Sequence, residues 1–170
     1  MSNFNNLLKP RIVNIENVSL NNTRVTLEPL ERGFGHTLGS ALRRILLSSI
    51  VGSSVTEVSI DGVQHEYSTI EGIQEDVIDI MLNLKGISFK MNGNTSTSLS
   101  LSKTEVGPVL ASDIELKNDI EIINPNHVIA NITKDGASIN MQIVVNEGIG
   151  YSSANQRKDD ANRNVGSLLI

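Results

Sequence analysis

The chain has no cysteine and no tryptophan, and only 3% of its residues are aromatic. The first absence excludes a disulfide framework and a thiol nucleophile. The others leave the core to Ile, Leu and Val. No stretch approaches the roughly 18 uninterrupted apolar residues of a membrane helix, and the start carries no basic-then-apolar leader. A membrane partner is therefore not expected, and a cytoplasmic location is. Concentrated positive charge is missing too. The net charge is −5, and the longest basic groupings are the pairs Arg43-Arg44 and Arg157-Lys158, the second followed at once by Asp159-Asp160. Phosphate binding needs clustered Lys and Arg, so no direct nucleic-acid contact is expected. His36, His65 and His127 lie far apart without a local pattern of co-ligands, and Ser48-Ser49 and Ser53-Ser54 have no nucleophile-elbow context. The expectation is no metal, no cofactor and no catalytic residue.

What is present centres on Gly33–Ile50. A glycine-punctuated turn leads to Thr37, a candidate N-cap whose hydroxyl suits an orphan first-turn amide. Leu38, Ala41, Leu42, Ile45 and Leu46 follow at the spacing of one helix face, and Leu47 and Ile50 widen it past half the circumference. Ser40, Arg44 and Ser48 remain as a polar stripe. A helix this apolar needs cover on more than one side, either from its own domain or from a partner such as a second copy. Arg44 stands at the centre of the polar stripe. Its guanidinium fork suits bidentate capture of a partner carboxylate, and equally a bond within the chain or simple solvation.

Residues 1–10 form a polar arm, followed by strands at Arg11–Val18 and Thr23–Leu27 that make a hairpin around Asn21-Asn22 and end at Pro29. Gly52-Ser53-Ser54 reads as a stop and linker. Val55–Ile60 is a strand, and Asp61-Gly62 a type I′ turn with a return strand through Val63, His65 and Tyr67. Ser68–Glu71 matches a capping box. Ile73, Val77, Ile80, Met81 and Leu84 continue as a helical stripe, closed by Lys85 and a left-handed Gly86. Glu71, Glu75, Asp76 and Asp79 make the outer face of that helix acidic, which reads as a solvated surface. Strands are then expected at Ile87–Met91, Thr97–Leu101, Ile120–Ile123, Val128–Ile132 and Ile139–Val145. Turns are expected at Asn92–Asn94, Gly107-Pro108, Asn124-Pro125 and Asp135-Gly136. Tyr151–Asn164 is polar and reads as mobile. Val165–Ile170 turns apolar and stops, the look of a truncated chain.

The run Leu27–Ser49 (LEPLERGFGHTLGSALRRILLSS) closely resembles the N-terminal domain of the bacterial RNA polymerase alpha subunit. The resemblance continues through Val55–Val58, Ile60–Val63, His65–Thr69, Gly72–Asp76 and Leu82–Gly86. It resumes at Gly107-Pro108, Asn124–His127 and Gly148–Tyr151. It implies an α+β fold, with antiparallel strands and a long dimerisation helix plus an inserted mainly-β domain. Residues 1–51 would be the first part of the dimerisation domain and 52–170 the inserted domain. The rest of the dimerisation domain and a DNA-binding C-terminal domain would be absent.

The resemblance further implies an assembly scaffold that dimerises, with itself or with an alpha-like chain, and binds the beta and beta-prime subunits. The family's nucleotide-addition site lies on those large subunits. Phe34, Leu38, Ala41, Leu42, Ile45, Leu46 and Ile50 would line the dimer interface. Arg44, Leu47, His65, Glu66, Tyr67, Glu71 and Lys85 would contact a large subunit. Ser40 stands where the family usually has Asn, a modest departure. Two alternatives come from other classes. One is a self-associating module without a polymerase role. The other is a phosphate-ligand enzyme built on Gly33-x-Gly35-x-x-x-Gly39, whose spacing fits neither the dinucleotide fingerprint nor the P-loop.

Overall fold

The computed structural model describes residues 9–93, 95–117, 119–153 and 167–170. The chain divides into two compact units, Met1–Ser49 and Ile50–Ile170.

In the first unit, β1 (Arg11–Ser19) and β2 (Asn22–Glu28) form the expected antiparallel hairpin, with Ile15 opposite Val25. The turn falls at Leu20-Asn21, one residue earlier than the Asn pair suggested. Helix α1 spans Phe34–Ser48. It starts ahead of Thr37 because Gly33, at φ +85°, turns the chain and the Phe34 N–H already bonds to the Glu31 carbonyl at 3.1 Å. The cap at Gly33 has no side-chain bond, so Thr37 is a helical residue and not the N-cap. The helix also ends before Ile50, with the Ser49 N–H on the Ile45 carbonyl.

The second unit is built on one antiparallel sheet. In chain order its elements are β3 (Val51–Ile60), α2 (Val77–Lys85), β4 (Phe89–Met91), β5 (Ser96–Lys103), β6 (Gly107–Leu110), β7 (Ile114–Glu115), β8 (Ile120–Ile122), β9 (Val128–Ile132), β10 (Ile139–Ile149) and β11 (Leu168–Leu169). The sheet runs β7-β5-β10-β3-β4-β8, with β11 also paired to β3, and β6 and β9 form a separate two-stranded ribbon. Alternation explains its core. On β10, Ile139, Met141, Ile143 and Val145 face inward and are buried. Beside them lie Leu99 and Leu101 of β5 and Val55, Val58 and Ile60 of β3. The same cluster takes in Val77, Ile80 and Leu84 of α2, Ile129, Ala130 and Ile132 of β9, and buried residues of β4, β6, β7, β8 and β11.

Several local expectations are overturned here. Gly52-Ser53-Ser54 is not a linker. Because β10 runs on to Ile149, it pairs Gly148 with Gly52, Glu147 with Ser53 and Asn146 with Ser54, which draws all three into β3. Asp61-Gly62 is a turn without a hairpin. A type I′ turn needs positive φ at both residues, and only Gly62 has it, at +78°. The Asp61 N–H bonds instead to the Asn140 carbonyl at 3.0 Å, and β3 takes β10, β4 and β11 as neighbours, so Val63–Tyr67 forms no return strand.

The capping box at Ser68–Glu71 does not form, and Ile73 lies outside the helix. Residues 72–74 are tied to β9 by backbone hydrogen bonds. The Gln74 N–H bonds to the Asn131 carbonyl, the Thr133 N–H bonds to the Gly72 carbonyl, and Ile73 bridges to Ile132. The helix therefore starts at the next capable residue, Asp76, whose Oδ1 accepts the Asp79 N–H at 2.7 Å. α2 ends at Lys85 as expected. However, Gly86 is right-handed, at φ −75°, so it is not a left-handed cap. Glycine is required there by space, because a Cβ would sit 2.6 Å from the His127 Nε2.

The strand expectations fare better. Val128–Ile132 matches β9 end to end, and β5, β8 and β10 fall within a few residues of their predicted bounds. Gly107-Pro108 is strand β6 and not a turn. In a two-stranded ribbon an outward-facing Pro costs no ladder bond. Tyr151–Ser153 has no regular structure, and the rest of the polar 151–164 stretch lies outside the described residues. Of the apolar end, Leu168 and Ile170 are buried, with β11 on β3.

A half-buried ion pair closes the β5–β6 connection. The Lys103 ammonium meets the Asp113 carboxylate at 2.6 Å and the Pro108 carbonyl at 3.0 Å, and the same carboxylate accepts the Leu110 N–H at 2.7 Å. Burial pushes the Asp113 carboxyl up. The Lys103 hydrogen bond, the Leu110 N–H and the Lys103 charge together outweigh that and hold it below the usual carboxylate value.

Two outcomes are expected. A carboxyl lowered on folding contributes stability above its unfolded pKa and loses it as pH falls through its folded pKa. Urea titrations of Asp113→Asn should therefore show a shallower loss of stability than the parent as pH drops below about 5. At Gly72, φ is +82° and a Cβ would meet the Ala137 Cβ at 2.5 Å. Gly72→Ala should cost about 3 kcal/mol, combining left-handed strain with overpacking, and should lower the urea midpoint at unchanged m-value.

Candidate functional site

The residues expected at a dimer interface fall on α1. Phe34, Leu38, Ala41, Leu42, Ile45 and Leu46 occupy an arc of about 140° at 100° per residue, and Ile50 follows the helix. No residue of α1 is buried. Phe34 is 49% exposed, Leu42 44%, Ile45 55% and Leu46 59%, while Leu38 is half-buried. β1 and β2 add exposed Ile12, Val13, Ile15, Val18 and Val25. An isolated exposed Leu or Ile needs no explanation, but a whole helix without a buried side chain does. The site on this unit is therefore a surface.

Arg44 and Leu47 lie on the other side of α1, about 60° apart. Leu47 is 70% exposed. Arg44 makes no ion pair among the described residues, and its own carbonyl accepts the Ser48 hydroxyl at 2.6 Å. The alternative of an Arg44 side chain bonded within the chain finds no support in this geometry.

The remaining expected contact residues belong to the second unit. His65, Glu66 and Tyr67 lie in the irregular segment between β3 and α2, and Tyr67 is 76% exposed. Ser68 folds that segment: its hydroxyl donates to the His65 carbonyl at 2.8 Å and lies 3.2 Å from the His65 Nδ1, and its own carbonyl accepts the Val77 N–H. Glu71 pairs with Lys134. Lys85 closes α2 and borders a cavity of about 720 Å³ walled by Val55, Thr56, Asn146 and Gly148.

The acidic stretch is not a single helical face. Asp79 lies in the first turn of α2 and Asp76 caps it. Glu75 points inward and clamps Asn131, accepting its N–H at 2.6 Å and its side-chain amide at 2.7 Å. Two further holding groups escaped the sequence reading. Asn124 donates to the Gly86 carbonyl and accepts the Ser88 N–H, while the His127 Nε2 lies 2.8 Å from the Asn83 carbonyl. They anchor the end of α2. Their signal was the Asn124–His127 motif, whose partners lie about 40 residues away and cannot be read from spacing. Among the described residues, no three His, Asp or Glu side chains are grouped to hold a metal. No helix of the described residues is long and apolar enough to cross a membrane.

Glu75 makes the 65–76 segment a test of the site's rigidity. Each hydrogen bond to a charged group contributes about 2 kcal/mol, so Glu75→Ala should lower stability by at least that much. It should also speed amide exchange in residues 68–76 before it affects the β3–β10 pairing, because the bonds lost tie only that segment to β9.

Residues 58–170 match the family model of the RNA polymerase Rpb3/RpoA insert domain, and that span covers nearly all of the second unit and more than half of the chain. A mixed fold of antiparallel sheets with few helices among the described residues agrees with that match: the chain belongs to the RNA polymerase Rpb3/RpoA insert-domain family, and is an alpha-like subunit of a transcribing nucleotidyltransferase complex.

Proposed function

We propose that the chain is the alpha subunit of a bacterial, cytoplasmic RNA polymerase, and that it works as an assembly scaffold. In this reading α1 dimerises with a second alpha or alpha-like chain, and the resulting pair carries the beta and beta-prime subunits. The observation that supports it is α1, none of whose residues is buried and whose apolar arc of Leu38, Ala41, Leu42, Ile45 and Leu46 suits packing against another helix. Burying one such Leu or Ile side chain contributes about 2 kcal/mol, so a pair of these faces has enough driving force to hold a dimer. Arg44 and Leu47 remain on the far side of the helix, free for a different subunit. His65–Tyr67, Glu71 and Lys85 would make a large-subunit contact of their own on the second unit. The chain itself would bind neither DNA nor a cofactor and would carry no catalytic residue, leaving nucleotide addition to the large subunits.

Self-association and large-subunit binding are separable. Light scattering on the parent chain should report a dimer, and Leu42→Asp or Ile45→Asp should shift it to monomer with the circular dichroism of the second unit retained. Co-purification with a bacterial beta subunit should succeed for the parent and fail for Arg44→Ala, which should still dimerise. A dimer that never retains beta would favour the self-associating module. A chain that is monomeric at all concentrations would remove α1 as the dimer helix.

A further inference from the structure

Asn92 is the sole asparagine of the sequence that is followed by glycine. It stands just past the end of β4, in the connection to β5, and both Asn92 and Gly93 are exposed. Gly93 is at φ +94°, and nothing lies within 4 Å of where its Cβ would be. Glycine leaves the approach to the preceding side chain unblocked and lets the backbone swing through conformations closed to other residues. None of the other described asparagines precedes a glycine. Asn83, Asn124, Asn131 and Asn146 have their side-chain amides engaged as donors. No hydrogen bond among the described residues holds the Asn92 side chain, while its backbone N–H is fixed on the Asp119 carbonyl at 2.9 Å. One side of the residue is thus anchored and the other is open.

We propose that Asn92-Gly93 is a site of spontaneous covalent modification, in which the folded chain deamidates itself through a cyclic imide. The Gly93 nitrogen gives its proton to a solvent base and attacks the Asn92 Cγ. The new N–Cγ bond closes a five-membered succinimide. The Cγ–Nδ2 bond breaks, and the amide nitrogen takes up a proton and leaves as ammonia. Water then opens the ring at either carbonyl. Opening at Cγ gives aspartate, and opening at the main-chain carbonyl gives isoaspartate, with the backbone rerouted through the side chain. Nothing is oxidised or reduced, and water is the co-reactant. Asp61-Gly62 and Asp135-Gly136 share the glycine but carry a carboxyl in place of the amide, so they have no ammonia to lose. The product puts a negative charge on the residue hydrogen-bonded to Asp119, at the end of the three-residue β4–β8 ladder.

The test is timed incubation of the folded full chain at neutral and mildly alkaline pH, followed by peptide mapping with mass spectrometry and enzymatic isoaspartate labelling. The expected result is a one-dalton gain concentrated at Asn92. It should accelerate with pH, yield isoaspartate and aspartate together, and disappear in Asn92→Gln, with Asn92→Asp supplying the reference for the aspartate product. Amide loss spread over other asparagines would overturn the proposal. So would aspartate without isoaspartate, which would mean direct hydrolysis. An Asn92 that converts in denaturant but stays intact in the folded chain would overturn it as well.

Discussion

The second unit depends on the pairing of β3 with β10. It joins residues 51–60 to 141–149, so the whole intervening chain is closed into a loop by one ladder. That closure is entropically costly but grows only slowly with length. It is offset by alternation, because each second residue of β10 enters a core that β3, β5, α2 and β9 share. A one-residue slip would turn Ile139, Met141, Ile143 and Val145 out to water, so burial fixes the register. A bulge between Val144 and Val145 absorbs the mismatch with Glu57 and Val55. With that ladder in place, β4 and β11 have one available edge of β3 to share, and β5 has the outer edge of β10.

The segment with the expected contact residues is positioned by this core through β9. Ile129, Ala130 and Ile132 are buried, and Asn131 between them takes the Glu75 clamp. α2 is held by Asn83 on the Ile129 carbonyl, and its end by Asn124 and His127. The segment with exposed His65 and Tyr67 is thus carried on a frame of buried bonds, which is how a surface loop acquires a fixed shape. Rigidity of this kind reduces the ordering cost that a docking surface must meet when a partner arrives.

Much of this was legible. Alternation located β5, β9 and β10, since period-2 burial is a direct consequence of a one-sided sheet. The 3.6-residue stripe located α1, and the resemblance carried by the Leu27–Ser49 run and the motifs after it pointed to the family that the match over residues 58–170 shows. What failed was local chemistry with two readings. Ser68 and Asp76 are both competent N-caps, and only the pull of β9 on residues 72–74 selects Asp76. Asp61-Gly62 is a fair hairpin signal, but the partner that β3 accepts lies some 80 residues downstream. Gly86 was assigned to backbone freedom when its role is to admit the His127 ring. In each case a long-range contact decided between options that were equal locally, and a single sequence carries no record of such contacts.

The two units embody opposite solutions to the same constraint. The second buries its apolar residues within itself. The first places Ile12, Ile15, Val18, Leu42, Ile45 and Leu46 where about half of each side chain meets water. Left uncovered, that surface would cost about 25 cal/mol for every Å² and would associate without selection. Selection has to come from shape and from the polar groups elsewhere on the same helix. On α1 these include Ser40, Arg43, Arg44 and Ser48, and the Ser48 hydroxyl is already taken up by the Arg44 carbonyl. That leaves the Arg44 guanidinium as a strong directional group beside an otherwise non-directional face. A guanidinium loses little by waiting in water and gains two parallel bonds when a carboxylate is presented in its plane. In the proposed reading the apolar arc would supply the driving force for association while Arg44, off that arc, would read the chemistry of a different neighbour, so that one helix would serve two contacts.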